Sequence, residues 1–186
     1  MVFHKPNYYA MKKVLLVIVG IIAIILIIGL IAPKEYAVER EVVVNCPKEQ
    51  VFEYVKSLQL QNEWSVWGDL DPNAVYTYTG FDGTVGFISA WEGNKDVGKG
   101  EQEIVGIAEG ERVDIDLRFI EPFESTADVY FTTESLSENE TLVKWGMSGK
   151  MPFPMNLFLL VMNMDKSIGK DYEQGLENLK QILEGA

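Results

Sequence analysis

The chain has almost none of the residues on which most hydrolytic and metal chemistry rests. Of its 186 residues one is histidine, His4, and one is cysteine, Cys46. A lone cysteine excludes an internal disulfide framework and any multi-cysteine metal site. With the only imidazole close to the N-terminus, the remainder of the chain can build neither a Ser-His-Asp nor a Cys-His arrangement, and no histidine metal site. The carboxylates show no calcium-loop spacing, so no metal and no cofactor are expected. Basic charge is scarce too: 16 Lys and Arg stand against 28 Asp and Glu, a formal net charge of −12. So acidic a chain repels phosphate backbones, and nucleic acid is not expected as a partner. Gly98-Lys99-Gly100 lacks the third glycine and the following helix of a phosphate loop and reads as a hairpin turn.

Acidic residues are missing altogether from residues 1–32, which hold Lys5, Lys12 and Lys13. Within that segment, residues 14–32 run without one polar side chain, VLLVIVGIIAIILIIGLIA. As a helix the run spans roughly 28 Å, about the thickness of a bilayer's hydrocarbon core. It has no amphipathic stripe, as suits a helix with lipid on every face. The run is therefore read as an uncleaved membrane span, with a cleaved signal peptide as the alternative. The apolar stretch is long for a signal core, and Pro33 would follow a cut at Ala32. Lys5, Lys12 and Lys13 precede the run, whereas Lys34 and Arg40 after it mix with Glu35, Glu39 and Glu41. That asymmetry predicts a cell-membrane protein with a cytoplasmic N-terminal tail (1–13), one span (14–32) and an extracytoplasmic domain (33–186). Met11-Lys12-Lys13 also reads as a start, which would leave residues 1–10 as an upstream tail.

The rest predicts one α+β domain. Residues 36–45 are β-branched and alternating; Pro47 suits a first helical turn, and Val51, Phe52 and Val55 follow at helical spacing. A second short helix is expected over about 58–63. Strands are expected near 74–78, 84–91, 100–108, 112–120, 125–135 and 141–148, separated by turn pairs such as Asp82-Gly83 and Glu109-Gly110. Alternation is clearest in β-pattern 112–119, where Val113, Ile115, Leu117 and Phe119 oppose Arg112, Asp114, Asp116 and Arg118. After Pro152 and Pro154 a helical period extends from about 155 to 183, with Gly169 and Gly175 marking close packing or a bend.

This order of elements resembles the helix-grip fold of the START and birch-pollen-allergen superfamily, SRPBCC. Local strings resemble its bacterial polyketide cyclase-like branch: Trp64-Ser65-Val66-Trp67, Trp91-Glu92-Gly93-Asn94, Val97-Gly98-Lys99-Gly100, Thr141-Leu142-Val143-Lys144-Trp145 and Met164-Asp165-Lys166. The motif Gly169-Lys170-Asp171-Tyr172 and the run from Gly175 to Lys180 complete it. The resemblance implies a curved antiparallel sheet of about seven strands wrapped on a long C-terminal helix, with two short helices after the first strand. It also implies a hydrophobic cavity, since members bind lipids, sterols, polyketides or plant hormones, and some are cyclases or dehydratases.

Large aromatics and methionines are the candidate lining: Trp64, Trp67, Phe87, Trp91, Phe119, Phe131, Trp145, Met147, Phe158 and Met162. Each taken singly fits plain core filling as well. Glu101/Glu103 and Asp114/Asp116 put paired carboxylates on one face, yet Asp114 and Asp116 oppose the apolar positions, and both pairs read as a solvated face. Tyr76, Ser89, Glu92, Asn163 and Lys166 are candidates for a polar contact. Three functions remain. The first is a membrane-anchored, non-enzymatic binding domain for a lipid or other hydrophobic small molecule. The second is a cyclase or dehydratase using Glu92 or Tyr76 as general acid or base. The third is an acidic protein-interaction module.

Overall fold

The structure, a computed structural model, describes residues 8–185. His4 and Lys5 of the expected N-terminal tail lie outside the described residues. The apolar run forms helix α1 (Tyr8–Ile31), which begins before the run and so carries Lys12 and Lys13. Its section Met11–Ile31 is long and apolar enough to cross a membrane. Residues 32–34 lead directly into β1 (Glu35–Val44).

Two short helices follow, α2 (Lys48–Val55) and α3 (Gln61–Trp64), then a 3-10 turn at Val66–Asp69 whose Trp67 N–H donates to the Ser65 hydroxyl. Six strands succeed them: β2 (Val75–Thr79), β3 (Ile88–Glu92), β4 (Lys99–Ala108), β5 (Arg112–Glu121), β6 (Ser125–Ser137) and β7 (Glu140–Lys150). Helix α4 (Met164–Glu184) closes the chain. All seven strands form one antiparallel sheet in the order β1-β7-β6-β5-β4-β3-β2. This is the expected α+β helix-grip fold.

Two element boundaries differ most from the sequence reading. The strand expected over 84–91 is confined to β3, because Gly83 and Gly86 take positive φ (71° and 89°) and Phe87 N–H bonds back to Thr84. The long terminal helix expected from about 155 begins only at Met164. Before it lies a 3-10 segment, Met155–Leu160, and the Asn163 side chain then caps α4 by accepting from Lys166 N–H at 2.9 Å. Pro152 and Pro154 cannot donate to a helical ladder, and an Asn with an extended backbone starts a new one.

Helix α4 lies across the concave face against β1. Gly169 leaves room for the Arg40 guanidinium, and a Cβ at Gly175 would stand 2.9 Å from the Trp145 ring. Both glycines thus serve close packing. Arg40 ties β1 to the helix through Asp165 at 2.8 Å and Glu173 at 2.6 Å. On the convex face Arg118 bridges Glu101 and Glu103 across β4 and β5 at 2.7 and 2.6 Å. The paired carboxylates are therefore outer-face ion-pair partners rather than a facing acid and base.

Candidate functional site

The strand directions give the domain two ends. At the end remote from α1, α2 seals the concavity with Val51, Phe52 and Val55, all at most 2% exposed. At the end near α1, the cover is α4, the four-residue α3 and the 3-10 turn at Val66–Asp69. This cover does not fill the concavity, and a cavity of about 250 Å³ remains.

Its apolar wall comes from Trp67, from Trp91 on β3, Leu117 and Phe119 on β5, Val129 on β6, and Trp145 and Met147 on β7. Ile168 and Tyr172 of α4 form the roof, with Tyr172 stacked on Trp145 at a ring separation of 3.9 Å. Trp67 meets both Trp145 and Tyr172 edge-on, so the aromatic wall is braced from two sides. A polar strip interrupts it. Gln102 Nε2 donates to Gln61 Oε1 at 3.0 Å, and Ser89 is the register partner of Gln102 in the neighbouring strand. Asn62 and Tyr76 extend the strip, and Asp171 is the one carboxylate on the wall. No Lys or Arg lines it among the described residues. Burial pushes the Tyr76 phenol up from its ordinary value and the Tyr172 phenol much further, so both stay protonated at neutral pH.

Residues 36–184 match the family described as polyketide cyclase / dehydrase and lipid transport. The chain belongs to this family. Solved structures share the fold of this polyketide cyclase / dehydrase and lipid transport domain. A Mesorhizobium loti protein is 16% identical over 81% of this chain and 98% of its own, with a TM-score of 0.60. Norcoclaurine synthase from Thalictrum flavumn, a point mutant with a transition-state analogue, is 10% identical over 80% of this chain and 96% of its own, at 0.57. The Aha1 dimer protein from Colwellia psychrerythraea is 13% identical over 80% and 96%, at 0.55. No curated protein matches the sequence.

The ten candidate lining residues separate into three groups in this family member. Trp67, Trp91, Phe119, Trp145 and Met147 line the cavity. Trp64, Phe87 and Phe131 are instead sealed in the core, each at most 1% exposed; Trp64 packs edge-on against Phe131 and Trp145. Phe158 and Met162 are at the surface, 50% and 48% exposed, because the chain between β7 and α4 leaves the concave face. Those five positions correct the expected lining. Glu92 is also no internal acid: it faces solvent, and Lys99 at 2.8 Å holds its carboxyl below the usual range. Asn163 and Lys166 are engaged at the start of α4 rather than in the cavity. The polar residues Gln61, Asn62 and Gln102 were missed. Gln102 carried a readable signal, a polar side chain at the same strand parity as buried Gly100 and Ile104.

Proposed function

We propose that the protein is a membrane-anchored, non-enzymatic binding domain for a small, uncharged, largely apolar molecule carrying a hydrogen-bonding group. The supporting observation is the make-up of the cavity wall: aromatic and aliphatic side chains around a neutral strip of Gln61, Gln102 and Ser89. Apolar area drives entry, and amide and hydroxyl groups orient a carbonyl or hydroxyl on the guest. A guest carboxylate or phosphate would be desolvated without a cationic partner and beside Asp171, which is costly. A volume of about 250 Å³, below the roughly 300–1,000 Å³ of drug-sized pockets, suits one ring system or a short chain rather than a two-chain phospholipid. In this reading α1 is the uncleaved anchor. Lys12 and Lys13 keep the N-terminus cytoplasmic and the domain stands on the other side.

A cyclase or dehydratase reading has one observation in its favour, the Tyr76 phenol on the wall. Its raised pKa keeps it protonated, so it can donate a hydrogen bond to a guest but is a weaker acid than a free phenol and offers no phenolate base at neutral pH. The binding reading is tested with the full chain in detergent, offered neutral N-phenyl-1-naphthylamine and its anionic sulfonate analogue. Native mass spectrometry should find one neutral dye per chain, little sulfonate adduct, and neither on Leu117→Trp, which fills the cavity. Equal retention of both dyes, or an unchanged adduct on Leu117→Trp, overturns the reading.

A further inference from the structure

Between Lys150 and Asp165 the chain carries no charged residue at all, MPFPMNLFLLVMNM. A surface segment of a domain this acidic is expected to be polar, yet here Phe153, Phe158, Leu160 and Val161 are 40%, 50%, 50% and 81% exposed. The segment lies against the far end of α1. Asn156, fully buried, donates from Nδ2 to the Gly29 carbonyl at 2.7 Å and to the Ala32 carbonyl at 3.3 Å. The Phe153 ring and Leu157 cover Gly29, which is buried in a helix whose other described residues are exposed.

Those contacts set the height of the segment. Met11–Ile31 has 21 residues, roughly 31 Å of helix against about 30 Å of hydrocarbon. Gly29 is two residues from the helix end, so side chains touching it stand at the margin of the hydrocarbon, about 3 Å below its edge. Exposed apolar groups at that level meet acyl chains rather than water. We propose that residues 152–162 form a membrane-embedded collar, laid in the interfacial zone of the leaflet from which α1 emerges, with Phe158, Leu160 and Val161 in lipid. The partner is the bilayer itself, and the inference rests on the reading of α1 as a span. An uncharged segment of Phe, Leu, Met and Val suits this depth because burying apolar area in lipid removes it from water at no ionic cost. Asn156 fits the same location: carbonyls at a helix end near hydrocarbon need a donor that water supplies poorly there.

The test uses the full chain in vesicles of phosphatidylcholine, with single cysteines at Val161→Cys, Phe158→Cys, Ile22→Cys and Phe81→Cys, each carrying an environment-sensitive nitrobenzoxadiazole dye. Cys46 is buried, and the parent chain sets the labelling background. Phe81 is 84% exposed in the turn between β2 and β3, at the remote end of the domain. The collar predicts blue-shifted emission at 158 and 161, lost when lipids carry a nitroxide high on the acyl chain, and water-like emission at 81. Ile22 should be lost to a nitroxide deep in the chain. If Ile22 responds and 158 and 161 behave like 81, the collar is overturned while the anchor stands. If Ile22 does not respond, the anchor reading fails and the collar with it.

Discussion

Strand β5 passes through two different interiors. Val113 and Ile115 are 0% and 1% exposed, enclosed among Ile104, Val129 and Phe131. Leu117 and Phe119 continue the same alternation on the same face, yet they border open room. What separates them is the covering layer. Around Val113 the chain lays α2 over β6 and β7, and two helices complete the packing. Around Phe119 the cover is thinner, α4 with the four-residue α3 and a short 3-10 turn, and the sheet curves away from them. Solid core and cavity are thus one hydrophobic face under unequal cover.

The largest expected effect probes that inequality directly. Phe131→Ala in the sealed end should lose about 3–5 kcal/mol, because its neighbours cannot collapse into the gap. Leu117→Ala, which removes atoms already facing empty space, should lose about 1 kcal/mol. Urea denaturation of both variants measures the difference, and equal losses would erase the distinction. A middle-sized effect is expected at Gly175→Ala. Alanine gains up to about 1 kcal/mol in helix propensity, but its Cβ would sit 2.9 Å from the Trp145 ring. The strain of overpacking, about 1–3 kcal/mol, should win and displace the aromatic wall. A lowered thermal midpoint together with weaker naphthylamine binding would show that the helix roof and the cavity share this contact.

The smallest effect is electrostatic and confined to the thinly covered end. Arg40 holds the Asp165 carboxyl below its ordinary range. A depressed folded pKa contributes stability above the unfolded value of about 3.9, and this is lost as pH falls through the folded value. Asp165→Asn should therefore flatten the acid limb of thermal midpoint against pH by lowering the neutral plateau by the same amount, a small one because the Asp165 carboxyl is mostly exposed. A large loss at neutral pH would mean that the Arg40 contact organises the whole helix.

The sheet was readable because strand alternation reports which face a residue takes. In β5 the pattern Val113, Ile115, Leu117, Phe119 gives the inner face without ambiguity. It does not report depth. Nothing in those four residues distinguishes the sealed pair from the cavity pair, because that depends on helices brought in from elsewhere in the chain. The same limit explains Trp64 and Phe131, which have the composition of a lining and the position of a core. The break before α4 was hidden for another reason: Phe158, Leu159 and Met162 continue an apolar spacing that mimics one long helix. Here the two prolines and the missing charges were the better guides.

The connection between helix and domain also decides how freely the domain moves. Only residues 32–34 separate α1 from β1, and Asn156 reaches across to grip the last helical turn from the other side. Held at two points, the domain has no slack with which to swing outward. It turns only when α1 turns about its own axis, so its azimuth and standoff are built in. Under the anchoring proposed above for α1, encounters with anything the domain serves are thereby restricted to lateral diffusion in two dimensions, at one constant height.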